Sequence, residues 1–337
     1  MMTRPLTTAS SVLSTAMTMK TTTAATATAT GNLAKARALP VPTYDETLVR
    51  HPKVSKFWDD NSDMLVEAWK EWDNTNNTKL TPLDVTALLD PSFRSAVEAA
   101  WKDPTREDAV RKLWKEVAPG VYTTQFFDVD KLSTLRDYFD TAVRSGIPVR
   151  PPHGILLNRN GIMLDPRSVG YLAAPSFQDF YQQIMNKYMR PIGRLLFPKY
   201  INERDDSQTF GFSIEYQPTT EQGIRMHSDS SALTLNINTN LPGETWEGSQ
   251  LIFPDIGAQQ MNTVEFGPGV AVIHRGATMH AALPLTKGKR TNLVFWLYGL
   301  YGSVNRDGPY SVEEKLSQAE RWSVPEFPIE QDSWAPF

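Results

Sequence analysis

The sequence contains no cysteine, so it can form no disulfide and offers no thiolate to a metal. This absence excludes zinc-finger and iron–sulfur sites, although it does not identify a cellular compartment. The longest apolar run, near residues 293–300, is far shorter than the roughly 20 residues that cross a membrane. No secretory signal sequence is recognisable either. We therefore expect a soluble protein that is neither secreted nor inserted in a membrane.

An excess of positive charge is also absent, because 34 basic residues stand against 38 acidic ones and the net charge is -4. A strongly basic face for nucleic acid is therefore not expected. Residues 1–44 differ from the rest, since they contain no acidic residue and are rich in Thr, Ser and Ala. Such a segment buries too little apolar surface to fold, and its composition is also typical of organelle transit peptides. We expect it to be disordered or transit-like, which makes the protein cytoplasmic, or organellar if residues 1–40 are a transit peptide.

The region from 45 to 119 is predicted to be helical. Asp90-Pro91 and Asp103-Pro104 each place a capping carboxylate before a proline at the first helical position. Apolar residues at helical spacing follow each pair. Farther along, Ser176 and Asp179 resemble a capping box at the start of another core-facing helix.

From Phe210 onward the apolar pattern changes to the alternation typical of strands. Short strand-like runs occur at 210–216, 232–238, 250–253, 270–274 and 291–298. Pro-Gly and Lys-Gly turn signals separate several of these runs, and regular short strands without helices between them indicate a sandwich or barrel of jelly-roll type. The predicted fold is therefore α+β, with a jelly-roll core over 120–300, a helical region over 45–119 packed on it, and an irregular tail over 301–337.

A candidate metal site stands out because the chain has only five histidines. His227 and Asp229 lie two residues apart in an extended segment, so their side chains point the same way, and His280 can approach from another strand. Two imidazoles and one carboxylate can occupy one face of an octahedral Fe(II), leaving positions open for a co-substrate and O2. The alternative for an isolated His-x-Asp is a core histidine and a turn carboxylate. His274 is a further imidazole that we expect to pack beneath the site.

Arg290 follows His280 by ten residues and is predicted to face the core at the start of the last strand. A buried arginine requires an anionic partner, because an unpaired buried charge is very costly. Thr234 and Asn236 share a strand face and are candidates for hydrogen bonds to a co-substrate. Tyr216 could donate its hydroxyl to a bound carboxylate or simply pack.

Four segments together resemble a known family. They are Tyr216–Pro218, His227–Asn238, Trp246–Phe253 and His274–Arg290. In these segments the chain resembles the Fe(II)/2-oxoglutarate-dependent dioxygenases, in the branch of the prolyl and lysyl hydroxylase catalytic domains. Within that branch it is most similar to the 2-oxoglutarate- and iron-dependent oxygenase domain-containing proteins.

The resemblance implies a double-stranded β-helix, with a catalytic oxygenase domain over 120–300. It also implies that Fe(II) is bound by His227, Asp229 and His280, and that Arg290 grips the C5 carboxylate of 2-oxoglutarate. The implied reaction consumes O2, converts 2-oxoglutarate to succinate and CO2, and removes a hydrogen atom from the substrate.

Two residues depart from the family pattern without removing a ligand. Ser249 stands where the family often has a second glycine, and Asn292 stands where many relatives have Ser or Thr. Both changes concern the detail of the pocket rather than the reaction.

The substrate class is the least determined property. The family includes small-molecule hydroxylases, oxidative cyclases and protein hydroxylases. We expect a small-molecule substrate, undergoing hydroxylation or cyclisation in specialised metabolism, because no appended peptide-binding module is visible. The alternatives are a protein side-chain hydroxylase of prolyl or lysyl type and a jelly-roll binding protein with a degenerate site. A zinc hydrolase is disfavoured because no zincin motif is present. The oligomeric state is not indicated.

Overall fold

The computed structural model describes residues 31–48, 51–76, 83–152, 160–219, 223–305, 308–311, 314–324, 334 and 336. What the sequence predicts for residues 1–30 lies outside these ranges. The α-helices are α1 (Asn32–Arg37), α2 (Tyr44–Leu48), α3 (Pro52–Asn76), α4 (Val85–Leu88), α5 (Pro91–Lys102), α6 (Glu107–Leu113), α7 (Leu132–Arg144), α8 (Pro175–Gln183), α9 (Arg190–Leu196) and α10 (Gln318–Arg321). A π-helical turn, Ile184–Met189, joins α8 to α9. Among the helices in the described ranges, none is long and apolar enough to cross a membrane.

The strands follow in the second half of the chain, apart from one early hairpin. They are β1 (Lys115–Ala118), β2 (Val121–Gln125), β3 (Gln208–Tyr216), β4 (Ile224–His227), β5 (Leu233–Asn238), β6 (Trp246–Gly248), β7 (Leu251–Asp255), β8 (Gln260–Val264), β9 (Val270–Arg275), β10 (His280–Ala282), β11 (Leu285–Gly288) and β12 (Arg290–Tyr298). The five predicted strand runs correspond to β3, β5, β7, β9 and β12.

Helix α1 falls inside the segment that was expected to lack structure. The Glu71 carboxylate, on α3, accepts the backbone N–H groups of Asn32 and Leu33 at 3.0 and 2.8 Å. These bonds satisfy donors that every helix leaves free at its start. Ala36 is fully buried on the same helix. The expectation of disorder for 1–44 is therefore wrong for Asn32–Arg37, because a distant carboxylate provides the cap.

Helix starts follow the predicted capping rule at both Asp-Pro pairs, where Asp103 accepts the backbone N–H of Thr105 at 3.1 Å, and depart from it at Ser176. Asp90 accepts the backbone N–H of Phe93 at 2.9 Å, with Pro91 at the first helical position, as predicted. The predicted capping box of Ser176 and Asp179 does not form. Instead the N–H and the hydroxyl of Ser176 both donate to Asp73 of α3, at 2.9 and 2.6 Å. A carboxylate from another helix has taken the role that the sequence assigns to Asp179.

The helical region ends earlier than the predicted boundary at residue 119. Helix α6 stops at Leu113, and β1 and β2 then form an antiparallel hairpin. Gly120 lies in its turn with a φ of +68°, a conformation that suits glycine. β2 pairs with β9, so the hairpin extends the large sheet instead of the helical region.

Two antiparallel sheets form the β portion. The larger has the order β1-β2-β9-β5-β12-β3 and the smaller the order β4-β10-β7-β8, while β11 and β6 form a separate pair. Leu293 and Phe295 of β12 pack toward the helices in one core, and Val294 and Trp296 pack with Phe253 of the smaller sheet in a second core. The large sheet therefore lies between the helices and the small sheet. The α+β class is confirmed.

The C-terminal residues are not uniformly irregular. Ser317 caps α10 by accepting the N–H of Glu320, and the Glu320 side chain accepts the N–H of Ser317 in return. Trp322 is buried, and its ring meets that of Trp101 edge-on at 5.8 Å. This part of the tail is held against the helical region.

Candidate metal centre

The two histidines of the predicted metal site lie directly opposite each other on neighbouring strands. β4 ends at His227, β10 begins at His280, and the two residues are register partners. Their ring centroids are therefore only 4.3 Å apart. Asp229 follows the end of β4 and places its Oδ1 3.4 Å from Nε2 of His227 and 3.8 Å from Nε2 of His280. The three ligand atoms lie within 4.8 Å of one another, a spacing that one metal ion can bridge.

Backbone carbonyls fix which nitrogen each imidazole presents. Nδ1 of His227 is 2.7 Å from the Arg225 carbonyl, and Nδ1 of His280 is 3.0 Å from the Thr278 carbonyl. A carbonyl only accepts, so each Nδ1 carries the proton and donates it. Each Nε2 is therefore the nitrogen turned toward Asp229; it donates to the carboxylate when the ring is protonated and offers its lone pair to a metal when the ring is neutral.

The Asp229 carboxylate is held from its other side. Its backbone N–H donates to the Gly276 carbonyl at 2.9 Å. Oδ2 accepts the hydroxyl of Thr234 at 2.5 Å, and that hydroxyl lies 2.9 Å from Oγ of Ser231. Oδ1 therefore stays turned toward the two imidazoles.

The three side chains shift one another's protonation. Burial opposes ionisation of Asp229, but the charge of His280 and the hydrogen bond with His227 outweigh it and hold the Asp229 pKa well below its usual range. Burial also opposes a charge on His227, yet the Asp229 carboxylate raises the pKa of that imidazole. For His280 burial dominates and lowers the pKa. An ionised carboxylate facing two imidazole nitrogens favours a divalent cation, and this donor set fits Fe(II).

Arg290 is buried at the start of β12, opposite Tyr216 of β3. Its guanidinium carbon lies 4.4 Å from the centroid of the Tyr216 ring and 5.5 Å from that of Phe266. Nη1 donates to the Ser249 carbonyl. Within the described residues, Nε and Nη2 have no hydrogen-bond partner. Burial lowers the Arg290 pKa, but an arginine stays charged in proteins. Nε and Nη2 can therefore bind an anion, which would stabilise the buried charge.

A cavity of about 500 Å³ opens onto this arginine. Its lining comes from the β6–β7 turn, the segment after β8 and the start of β12: Trp246, Glu247, Gly248, Ser249, Gln250, Val264, Glu265, Phe266, Gly267 and Arg290. The sequence does not predict Ser249 as a binding residue. The sequence marks Ser249 only as a serine where the resembling family often has a second glycine, and in the structure both Gly248 and Ser249 adopt a positive φ.

The remaining candidates have partners of their own. Thr234 donates to Asp229, so its proton supports the carboxylate and is not offered to a co-substrate. Oδ1 of Asn236 accepts a hydrogen bond from Nδ2 of Asn292 at 2.6 Å. The Tyr216 ring stacks with Arg290. These contacts place all three around the predicted site, and co-substrate binding by Asn236 and Tyr216 stays a prediction.

His274 packs against the candidate ligands without joining them. Its ring centroid is 4.6 Å from that of His280 and 5.4 Å from that of Phe253. Nδ1 is 2.8 Å from the Arg275 carbonyl. Burial lowers the His274 pKa to about 4, so the ring is neutral at physiological pH. A neutral, packed imidazole agrees with the role that the sequence predicts for it.

Comparison with known proteins gives a family for this region. The 2OG-Fe(II) oxygenase superfamily matches residues 183–298, a range that contains the metal-site residues and Arg290. The chain is 28% identical over 187 residues to the "2-oxoglutarate and iron-dependent oxygenase domain-containing protein 2" of Xenopus tropicalis, covering 52% of this chain and 48% of that protein. It is 26% identical over 230 residues to the domain-containing protein ICU11 of Arabidopsis thaliana, covering 64% and 53%.

A further relative is the human "Multifunctional procollagen lysine hydroxylase and glycosyltransferase LH3", 30% identical over 122 residues, which cover 35% of this chain and 16% of that protein. The chain spans about half the length of the curated relatives it matches first. The range that matches the family model contains His227, Asp229 and His280, the three residues whose ligand atoms converge in the structure. Residues 183–298 therefore match the 2OG-Fe(II) oxygenase superfamily, an enzyme family that uses Fe(II), 2-oxoglutarate and O2.

Proposed function

We propose that this chain is an Fe(II)- and 2-oxoglutarate-dependent oxygenase in which His227, Asp229 and His280 bind the iron and Arg290 binds the distal carboxylate of 2-oxoglutarate. One observation carries the proposal. A two-histidine, one-carboxylate group contacts Phe253, and a buried arginine with two donors unpartnered among the described residues contacts Tyr216 and Phe266, all three of them residues of the core between the two sheets. A metal site alone would not need the arginine, and an arginine site alone would not need the carboxylate and imidazoles.

The chemistry divides between the bound group and the protein. Fe(II), together with 2-oxoglutarate and O2, supplies an oxidant for a C–H bond while 2-oxoglutarate is decarboxylated to succinate. The protein holds the two imidazoles in the tautomer that leaves Nε2 free, through the carbonyls of Arg225 and Thr278. It offsets part of the metal charge with Asp229. Arg290 fixes the distal end of the co-substrate, because a guanidinium presents parallel donors to a carboxylate.

The fold that best accommodates this site is a double-stranded β-helix, in which the large and small sheets form the two walls. The antiparallel pairing and the shared core between the sheets support this proposal. We propose residues 120–300 as the catalytic domain, with the preceding helices packed on the outer face of the large sheet.

For the substrate we propose a small molecule that undergoes hydroxylation or oxidative cyclisation. Support comes from the burial of the site, since the side chains of His227, Asp229 and His280 are only 11%, 7% and 10% exposed. A protein side-chain hydroxylase is the second candidate. The match to a procollagen lysine hydroxylase favours it, as do the partly exposed Met226 and Met279 beside the candidate ligands.

Anaerobic titration of 2-oxoglutarate in the presence of Fe(II) tests the proposal, with the fluorescence of Trp246 in the cavity as one signal. We expect saturable binding that Asp229→Ala abolishes by removing the metal. Arg290→Leu should raise the Kd by about 30-fold or more, because removing one partner of a buried charge pair costs roughly 2–5 kcal/mol. Asp137→Ala, which removes an exposed carboxylate of α7, is the control. Equal binding by wild type and Arg290→Leu would refute the assignment.

Succinate release in the presence of candidate substrates separates the remaining alternatives. Stimulation by small molecules supports the first candidate, and stimulation only by peptides that contain proline or lysine supports the second. A protein that binds 2-oxoglutarate but releases no succinate, with or without substrate, would instead be a binding protein.

A further inference from the structure

Ser249 occupies a backbone conformation that a serine rarely adopts. It lies in the turn between β6 and β7 with a φ of +62°, directly after Gly248 with a φ of +83°. Left-handed φ values suit glycine, because a Cβ at that φ approaches the backbone. A serine at this position is therefore strained where a glycine would not be.

The side chain adds a second penalty. Ser249 is completely buried, and its Oγ makes no hydrogen bond to any residue that the structure describes. A buried hydroxyl without a partner loses its bonds to water and gains nothing in return. Neither the backbone conformation nor the burial therefore explains why the residue is serine.

Hydrogen bonds hold the backbone of Ser249 beside the candidate co-substrate site. Its carbonyl accepts Nη1 of Arg290, and its N–H donates to the Pro284 carbonyl at 3.1 Å. Ser249 and Arg290 line the same cavity, and Nε and Nη2 of Arg290 are also without partners in the described part of the chain. The hydroxyl and the guanidinium are thus two sets of donors held at a fixed position relative to each other.

Asn292, next to Arg290 on the same face of β12, is not a second donor there. Its Nδ2 donates to Asn236 at 2.6 Å, and its Oδ1 is the atom without a partner among the described residues. An amide oxygen only accepts, so it cannot bind a carboxylate. Among the described residues that line the cavity with Arg290, Ser249 has a hydroxyl without a hydrogen-bond partner.

We propose that Oγ of Ser249 donates a hydrogen bond to the distal carboxylate of 2-oxoglutarate, beside the bonds from Arg290, and so helps to select the length of the 2-oxo acid. This inference rests on the proposed function, because it requires that the cavity takes 2-oxoglutarate. The bound carboxylate supplies the partner that the hydroxyl lacks. The Ser249 side chain also fills space at the distal end, which excludes a dicarboxylate with one more methylene.

Two variants separate the contributions of the hydroxyl and of the side-chain volume. Ser249→Ala removes the hydroxyl and keeps Cβ in the same strained conformation, whereas Ser249→Gly removes both and relieves the strain. We expect each variant to raise the Kd for 2-oxoglutarate about 10-fold in anaerobic titrations with Fe(II), the effect of losing one hydrogen bond to a charged group. Ser249→Gly alone should gain binding of 2-oxoadipate, the homologue with one more methylene.

Thermal unfolding distinguishes this role from a structural one. Ser249→Gly should have a Tm equal to or above that of the wild type, since glycine suits the left-handed turn, while its affinity for 2-oxoglutarate falls. Wild-type affinity in Ser249→Ala, measured beside a wild type that binds 2-oxoglutarate and an Arg290→Leu variant with a raised Kd, would overturn this inference and leave the proposed function intact. Failure of the wild type to bind 2-oxoglutarate would overturn both.

Discussion

At the scale of single residues, Thr234 supports the metal site through one hydroxyl. It donates to Oδ2 of Asp229 at 2.5 Å and leaves Oδ1 directed at His227 and His280. Side chains that orient a metal ligand in this way typically contribute 10–100-fold to metal affinity.

We predict that Thr234→Val, which keeps the shape but removes the hydroxyl, weakens Fe(II) binding by about 10-fold or more. Thr234→Ser keeps the hydroxyl and is the matched control, with near wild-type affinity expected. Anaerobic Fe(II) titration measures both. Equal affinities for the two variants would show that the hydroxyl does not position Asp229.

Acidity should weaken metal binding chiefly through His227. The Asp229 carboxylate raises the His227 pKa above its ordinary value of 6.5 in the metal-free protein, despite opposing burial. A metal must displace that proton, so affinity is complete above the raised pKa and is lost as the pH falls through it. His280, whose pKa is lowered by burial, stays neutral to a lower pH.

We therefore predict that Fe(II) affinity begins to fall at a pH above 6.5, with about one proton taken up per ion released. Titrations between pH 8 and pH 5 measure this dependence. As a control, NMR titration of the metal-free Asp229→Asn variant should show a lower His227 pKa than in the wild type. An affinity that is constant down to pH 5 contradicts the assignment of His227 as a ligand.

How far the sequence predicts the site depends on the kind of contact. The pairing of His227, Asp229 and His280 follows from residue type and spacing, and the burial of Arg290 follows from strand alternation. The hydroxyl of Thr234 also faces the site as predicted, but its partner depends on where the chain turns after β4, which no local pattern specifies. Ser249 is recognisable in the sequence only as a departure from the family pattern, because its strained φ and its unpartnered hydroxyl exist only in the folded chain.

At the scale of elements, the metal site depends on a close approach of two turns. A Cβ on Gly276 would lie 1.9 Å from the Ser231 carbonyl oxygen, closer than any real contact allows. The Gly276 carbonyl also accepts the N–H of Asp229. The segment after β9 therefore packs directly on the segment that carries the carboxylate.

We predict that Gly276→Ala lowers the free energy of unfolding by about 1–3 kcal/mol, the usual effect of overpacking, and also weakens Fe(II) binding by displacing Asp229. Gly267→Ala is the control, since a Cβ there meets no atom within 4 Å. Urea unfolding and Fe(II) titration provide the two measurements. A Gly276→Ala variant as stable as Gly267→Ala would mean that the two turns separate without effect.

The elements themselves differ in how well the sequence predicts them. Long strands such as β3 and β12 are recognisable because each has nine residues, nearly all of them buried. β4 and β10, which present His227 and His280, have four and three residues and carry no clear alternation. Their pairing is decided by long-range contacts, so the site residues are easier to predict than the strands that hold them.

At the scale of the whole molecule, buried charges join the C-terminal residues to the helical region. Glu107 of α6 accepts hydrogen bonds from Arg321 and from the indole N–H of Trp322, the latter at 3.0 Å. Arg194 of α9 forms an ion pair with Asp206 and also donates to backbone carbonyls of the tail. Glu107 and Arg321 are about two hundred residues apart in the sequence. No local sequence pattern therefore predicts their contact.

Glu107 should therefore stabilise the folded protein in a pH-dependent manner. Burial opposes its charge, but the hydrogen bonds from Arg321 and Trp322 outweigh it and lower the Glu107 pKa from 4.5. A lowered carboxyl pKa contributes stability that is complete above the unfolded value and is lost as the pH falls through the folded value. The ion pair is nearly buried, with side chains 13% and 4% exposed for Arg321 and Glu107, so little solvent screening applies.

We predict that Glu107→Gln lowers the free energy of unfolding by roughly 3 kcal/mol at pH 7, because it leaves Arg321 without its carboxylate. The difference from wild type should shrink as the pH falls below about 4.5, where the wild-type carboxylate also becomes protonated. Urea unfolding at several pH values measures it, with Glu314→Gln as the control, since the Glu314–Arg204 pair is exposed and screened by solvent and should contribute little. A loss of stability that stays the same at acidic pH would assign the effect to packing around Trp322 instead of to the charge of Glu107.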